Sequence, residues 1–329
     1  MTGRRAALAV TAAAGAMLSA CSERQSALAP AGGDADAVYT LTLVLFIGAA
    51  VIQALIVGGI WIALRGSVRS RALLADRRSI WIGGLILPCI VLTALLAHAL
   101  WLMRATVAEG ARPPDLIVEV VGEQWWWRVT YRLPDGRAVS EANEIRLPAG
   151  RGVEFRLTSA DVIHSFWIPS LGGKMDMIPG RTNRLRLTAV RPGIHRGQCA
   201  EYCGGPHALM AKDVVVMTPV DFEAWMSAAT PAPPTADEER QGLALFLAAG
   251  CGACHAVRGT TADGTIGPDL SRFGGRATIA AGAVRNTPAE LARFIAAPHD
   301  VKPGSLMPAF AFLSRAERHA IALYLTGLK

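Results

Sequence analysis

Charge is scarce in this sequence. Acidic and basic residues fill 18% of its 329 positions, while 52% are hydrophobic. That balance excludes a disordered chain and is foreign to an ordinary soluble domain. The apolar excess is gathered in blocks, which points to membrane segments. Cysteine is sparse as well: six residues, unevenly placed, exclude a disulfide-stapled scaffold. A basic face of the kind a nucleic-acid binder needs is missing. The net charge of +7 is mild, and five arginines between Arg65 and Arg78 are best assigned to a membrane loop. At about 150 residues per domain the length suggests roughly two domains.

Residues 1–20 have the layout of a lipoprotein-type signal. Arg4 and Arg5 precede an apolar run from Ala6 to Leu18, which ends in Leu18-Ser19-Ala20-Cys21. The run is too short to span a bilayer comfortably. Its ending resembles a bacterial lipoprotein cleavage box, which would leave Cys21 as a lipidated first residue; an uncleaved signal with an incidental cysteine is the other reading. Residues 21–37, small and polar, read as a flexible leader. Residues 38–109 read as a transmembrane hairpin. Val38 to Leu64 and Ile80 to Met103 each exceed the roughly 20 apolar residues that cross a hydrocarbon core. The arginine-rich loop between them is cytoplasmic by the positive-inside rule, so both termini face outward, in agreement with the export signal. Pro88 lies inside the second helix, where a kink is tolerated if a neighbouring helix packs there. Cys89 reads as a small apolar filler and His98 as an interfacial residue.

From residue 110 to 229 the pattern becomes short alternating segments. Leu116 to Val121, Trp125 to Leu133, Glu144 to Leu147, Val153 to Leu157, Arg184 to Ala189 and Val214 to Met217 read as strands. Turn chemistry such as Pro148-Ala149-Gly150 and Pro192-Gly193 bounds them. A β-sandwich or small barrel is expected. The stretch Gln198 to Met210 offers Cys199, Cys203, His207 and Met210 within a few positions. Thiolates, a thioether and an imidazole together favour copper. A disulfide or tetrahedral zinc is the alternative on cysteine spacing, but zinc rarely uses methionine and a disulfide leaves the histidine unexplained. A further side chain should come from elsewhere: His164 stands at a strand end, and His195 is its rival.

The run Asp161-Val162-Ile163-His164-Ser165-Phe166-Trp167, the later Pro179-Gly180-Arg181, and the pattern C-x-E-x-C-x-x-x-H-x-x-M resemble cytochrome c oxidase subunit II over about residues 38–226. The resemblance implies a cupredoxin-type barrel holding the dinuclear copper centre CuA. By the same likeness Cys199 and Cys203 bridge two coppers, His164 and His207 bind one each, Met210 completes one shell, and the Glu201 carbonyl completes the other. The Glu201 side chain would face a magnesium or manganese ion shared with the catalytic subunit. Trp125, first of the cluster Trp125-Trp126-Trp127, takes the place of the family's electron-accepting aromatic. Two positions depart from the pattern: Glu123, where the family often has histidine, and Arg78, where many members have glutamate.

Residues 230–236 form a proline-rich linker, and residues 237–329 a second outer domain. An amphipathic helix over Asp237 to Ala249 precedes Cys251-Gly252-Ala253-Cys254-His255, the attachment signature of c-type haem with His255 as proximal ligand. Met307, in a proline-pinned loop, is the favoured second ligand, with His299 and His319 as alternatives. Gly267-Pro268-Asp269-Leu270 resembles the loop under the haem of class I cytochromes c, and Pro288 to Ala296 and Ser314 to Leu325 read as closing helices.

The expected fold is therefore multi-domain and membrane-anchored: two transmembrane α-helices, an all-β cupredoxin-like barrel, and a small all-α cytochrome c domain. The resemblance implies the subunit through which electrons enter a respiratory oxidase of the bacterial inner membrane, with both redox domains on the periplasmic side. Its partners would be a donor cytochrome c, the haem–copper catalytic subunit that reduces oxygen to water, and a third subunit. The chain has no histidine-rich membrane helices, so no oxygen-reducing site is expected on it. Rival readings are an electron-input subunit of a CuA-type nitric oxide reductase and a non-catalytic membrane-anchored copper or redox protein.

Overall fold

A computed structural model of the chain describes residues 23–110, 113–133, 136–228 and 234–329. The signal, Cys21 and most of the proline-rich linker lie outside the described residues. The membrane unit contains α1 (Gly33–Arg65), α2 (Val68–Ala75), α3 (Arg77–Trp81) and α4 (Leu87–Gly110), with a π-helical segment Ile82–Ile86 joining the last two. α1 and the span from Arg77 to Arg104 are long and apolar enough to cross a membrane. Their large apolar side chains are exposed, as lipid-facing surfaces require. The π segment immediately precedes Pro88; widening the turn there relieves the clash between the proline ring and the preceding turn. The arginine-rich connection is partly helical rather than an open loop, because Ser67 and Asp76 accept hydrogen bonds from the first turns of α2 and α3.

The expected flexible leader is corrected by the structure. The Ala31 N–H donates to Ser170 O (2.7 Å), and its carbonyl accepts from Val190 N (2.8 Å). Gln25 Nε2 donates to Gln198 Oε1 at 3.0 Å. Ala31 is buried, and a Cβ at Gly32 would fall 2.4 Å from Leu171 O. The small residues that resemble a linker in sequence are small so that their backbone can lie against the β domain.

Among the described residues that domain has ten strands in two sheets. The first has the order β3 (Ala138–Ala142), β2 (Trp126–Arg132), β1 (Leu116–Glu123), β5 (Gly152–Ser159), β8 (Asn183–Thr188). The second runs β4 (Glu144–Pro148), β10 (Ala211–Met217), β9 (Gly193–Cys199), β6 (His164–Trp167), β7 (Met175–Met177). Alternating burial along β2 sends Trp127, Val129 and Tyr131 inward. They meet Phe155 and Phe166 in the core, with Trp127 and Phe166 edge to face at 6.0 Å. The six expected strands are present within a few residues of their expected ends; β3, β6, β7 and β9 are additional. Helix α5 (Pro219–Ser227) closes the domain with Phe222 against Tyr131.

The C-terminal domain is built on α6 (Asp237–Ala248), α7 (Pro288–Ala296), α8 (Pro298–Val301) and α9 (Arg315–Gly327). Phe246, Leu291, Ile295, Ile321 and Tyr324 form its core. Ser314 and Glu317 make a capping box, so the last helix begins one residue later than expected. A two-stranded hairpin, β11 (Thr278–Ile279) and β12 (Val284–Arg285), interrupts the otherwise helical fold. The architecture is two apolar helices, a cupredoxin-like β domain and a helical cytochrome c-like domain.

Candidate functional site

β6 and β9 pair with Phe166 opposite Cys199, which brings His164 near the end of β9. The loop Ala200 to Met210 is pinned at both ends: Cys199 N donates to Met210 O (3.0 Å) and Ala200 N to Ser165 O (3.0 Å). A 3₁₀ turn over His207–Leu209 turns its last residues back toward Cys203. The loop therefore delivers its donors to one place. Cys199 and Cys203 Sγ stand 3.8 Å apart, well beyond the ~2.05 Å of a disulfide. His164 Nδ1 lies 3.8 Å from Cys199 Sγ, His207 Nδ1 3.5 Å from Cys203 Sγ, and Met210 Sδ 3.8 Å from Cys203 Sγ. Cys199 Sγ also donates to the carbonyl of Glu201 at 3.2 Å, while the Glu201 side chain is exposed.

The environment prepares these groups for metal. Burial raises the Cys199 thiol, but hydrogen bonds at His164 and at the backbone of Ser165 and Glu201 outweigh it and bring it down to about 6. Burial and the neighbouring Cys199 push Cys203 up to about 12. The two thiols thus differ in acidity, and a metal would bind both as thiolates. Two sulfurs, two imidazole nitrogens, a thioether and a carbonyl are a donor set that suits copper. His195 does not join them; its Nδ1 pairs with Ser170 Oγ at 3.0 Å.

Further residues support these donors, and of them Asp161, Gly122 and Lys212 are given no role by the sequence reading. Asp161 holds Nε2 of His164 at 2.8 Å and also accepts from Gln124 N at 2.6 Å. Its place three residues before His164 is the signal that could have found it. Gly122 lies under the His164 ring, where a Cβ would come 2.8 Å from Cδ2. Lys212 is fully buried, with Nζ 3.9 Å from the Trp127 ring centre and 4.3 Å from that of Phe166. Burial lowers it to about 7 against the pull of Cys199. Trp125 donates its indole N–H to Cys203 O at 2.9 Å. Glu123 forms an ion pair with Arg128 at 2.6 Å.

In the helical domain, α6 ends before Gly250 (φ +77°), and the 3₁₀ turn Cys251–Ala253 follows, so Cys251, Cys254 and His255 lie on one short segment. His255 Nδ1 donates to Pro268 O at 2.8 Å, which leaves Nε2 as the free ligand atom and fits an axial imidazole. Burial lowers the His255 pKa, which keeps the ring neutral. Met307 is half-buried against the domain core, while His299 and His319 are exposed.

The family described as "Cytochrome C oxidase subunit II, periplasmic domain" matches residues 133–218, and "Cytochrome c" matches residues 240–329. The cytochrome c oxidase subunit 2 of Alkalihalophilus pseudofirmus is 35% identical over 254 residues, covering 74% of this chain and 71% of that one. The subunit 2 of Bacillus subtilis is 32% identical, covering 74% and 70%. Among solved structures, the periplasmic domain of subunit II (CoxB) of Bradyrhizobium japonicum is 31% identical. It covers 35% of this chain and 92% of that one, with a TM-score of 0.33. The chain belongs to the cytochrome c oxidase subunit 2 family.

Proposed function

We propose that this chain is the subunit through which electrons enter a respiratory cytochrome c oxidase, relaying them from a donor cytochrome c to the haem–copper catalytic subunit that reduces oxygen to water. The convergence of Cys199, Cys203, His164, His207 and Met210 on one pinned loop, in a chain that also carries Cys251-x-x-Cys254-His255, supports this reading most directly. A dinuclear copper centre and a covalent haem c would supply reversible one-electron storage at the two sites.

The chain's own residues have separable tasks. Cys199 and Cys203 would hold both coppers between them, and His164 and His207 would each bind one. Met210 and the Glu201 carbonyl would complete the two shells. Because the loop is tied to β6 and β9 at its ends, the donors hold their places when charge changes, which favours fast transfer. Cys251 and Cys254 would anchor the haem, with His255 and Met307 as axial ligands. The exposed Glu201 carboxylate suits a magnesium or manganese ion at the junction with the catalytic subunit. Trp125, hydrogen-bonded to Cys203 O, would be the aromatic through which electrons reach the copper site. The arginines between α1 and α4 would keep that loop cytoplasmic, and both redox domains (residues 110–229 and 237–329) would lie on the periplasmic side of the bacterial inner membrane. A third subunit would complete the complex.

Cys199→Ser is the test. It should abolish the near-infrared copper band and oxygen uptake while leaving the haem c spectrum intact; retained copper absorption overturns the reading. Purification separates the rivals. Copurification with a many-helix subunit that consumes oxygen supports the oxidase. Nitric oxide consumption would reassign the chain to a reductase, and isolation without a partner to a copper-delivery or redox role.

A further inference from the structure

Lys302 is 5% exposed, yet its Nζ leaves the helical domain to donate to the carbonyl of Trp125 and to Leu209 O at 3.0 Å. Both acceptors belong to the β domain, and Leu209 is the residue before Met210. The third acceptor is Ala280 O at 3.1 Å. Three donors meet three carbonyls, which is how a buried ammonium is made tolerable.

Ala280 lies in the tip between β11 and β12. There Ala280 (φ +54°), Ala281 (φ +60°) and Gly282 (φ +80°) are left-handed in succession. Alanine disfavours that conformation and keeps it only where surrounding contacts over-determine it. The contacts are across the two domains: Ala280 O receives Lys302, and Ala281 O receives the N–H of Ala211 at 3.0 Å, the residue after Met210. Thr278 Oγ1 donates to Asp213 Oδ2 at 2.6 Å, and the buried pair Arg276–Glu141 stands at 3.2 Å.

Trp125 is held in the same seam. A Cβ at Gly204 would fall 3.0 Å from its Cζ2, and one at Gly304 would fall 2.9 Å from its Cζ3. Gly204 follows Cys203, and Gly304 precedes Met307 by three positions. The indole therefore touches the loop of the copper donors on one edge and the Met307 loop on the other.

We infer that Lys302 and the Ala280–Ala281 tip lock the helical domain onto the Cys203–Met210 loop, making Trp125 an internal bridge between the two sites instead of a landing surface for a soluble donor. The inference rests on the electron-relay reading above. Lys302 is a positioning residue in it, acting through Trp125. A soluble donor then delivers its electron to the helical domain.

The test uses the full chain in detergent with both groups loaded, comparing Lys302→Met with the parent. Amide hydrogen exchange is followed in residues 199–210 and 299–308, with residues 153–157 as the internal reference. Exchange should quicken in both segments together, by roughly tenfold or more for the loss of charge-assisted hydrogen bonds, and stay unchanged in the reference. Copper reduction after photoreduction of the haem should slow in parallel, with both absorption spectra retained. Unchanged exchange, or an unchanged internal transfer rate, overturns the lock. If Lys302→Met does not fold, Thr278→Val should show the same paired exposure, and its absence counts equally against the lock. A parent chain whose reduced haem never passes its electron to copper would sink the relay reading instead, while the exchange measurement would still decide whether the domains are locked.

Discussion

Asp161 Oδ1 lies 2.8 Å from Nε2 of His164, so Nδ1 is the nitrogen left to face Cys199. A carboxylate behind a metal-binding imidazole fixes the ring and strengthens it as a donor. Asp161→Asn should weaken copper binding by about 10–100-fold, the usual effect of losing such a partner. Competition against a chelator of known affinity measures it, and parent-like affinity would show that the carboxylate is structural only.

Gly122 makes the space that the His164 ring occupies. Gly122→Ala places a methyl 2.8 Å from Cδ2 in a fully buried position, so the ring or strand β1 must shift. A cost of about 1–3 kcal/mol is expected from such overpacking. Denaturant unfolding of the copper-free protein reads the cost directly, and the copper band should shift in the loaded protein.

Met307→Ala should lower the haem potential and remove the sulfur-to-iron absorption band, because thioether ligation raises the potential. Redox titration with optical detection checks both. An unchanged spectrum would move the axial role to His299 or His319, although both are exposed.

His195 provides a pH dependence of known sign. Burial lowers its pKa below 6.5, and its buried Nε2 has no hydrogen-bond partner among the described residues. The unfolded state then binds the proton more readily than the folded state. Its stabilising contribution is complete above 6.5 and is lost as pH falls through the lowered folded value. Relative to the parent, His195→Gln should lose less stability between pH 7 and pH 5 in urea unfolding; parallel losses would exclude His195 as the source.

Most candidate donors of the two sites are legible because they are clustered, with His164 and Met307 the distant exceptions. Cys199 to Met210 and Cys251 to His255 are short runs whose residue types carry their chemistry with them, and apolar runs announce α1 and α4. What was not legible depends on partners far along the chain. β6 has no polar alternation because its first three residues are all buried, and β7 is three residues long. Gly32 reads as linker until Leu171 is set beside it. Lys302 looks like any surface lysine, since its acceptors lie 177 and 93 positions away. Asp161 was in view within the motif, but its task appears only when the ring of His164 is oriented.

Strands β3 and β4 are the outermost members of their sheets, and residues 275–277 lie against them through Glu141, Glu144 and Arg146. Uncovered outer strands invite pairing with another copy. The C-terminal domain is thus also a guard rail: a polypeptide cut after residue 228 would keep Cys199, Cys203, His164, His207 and Met210 yet display two bare margins, and self-association would be its characteristic fault.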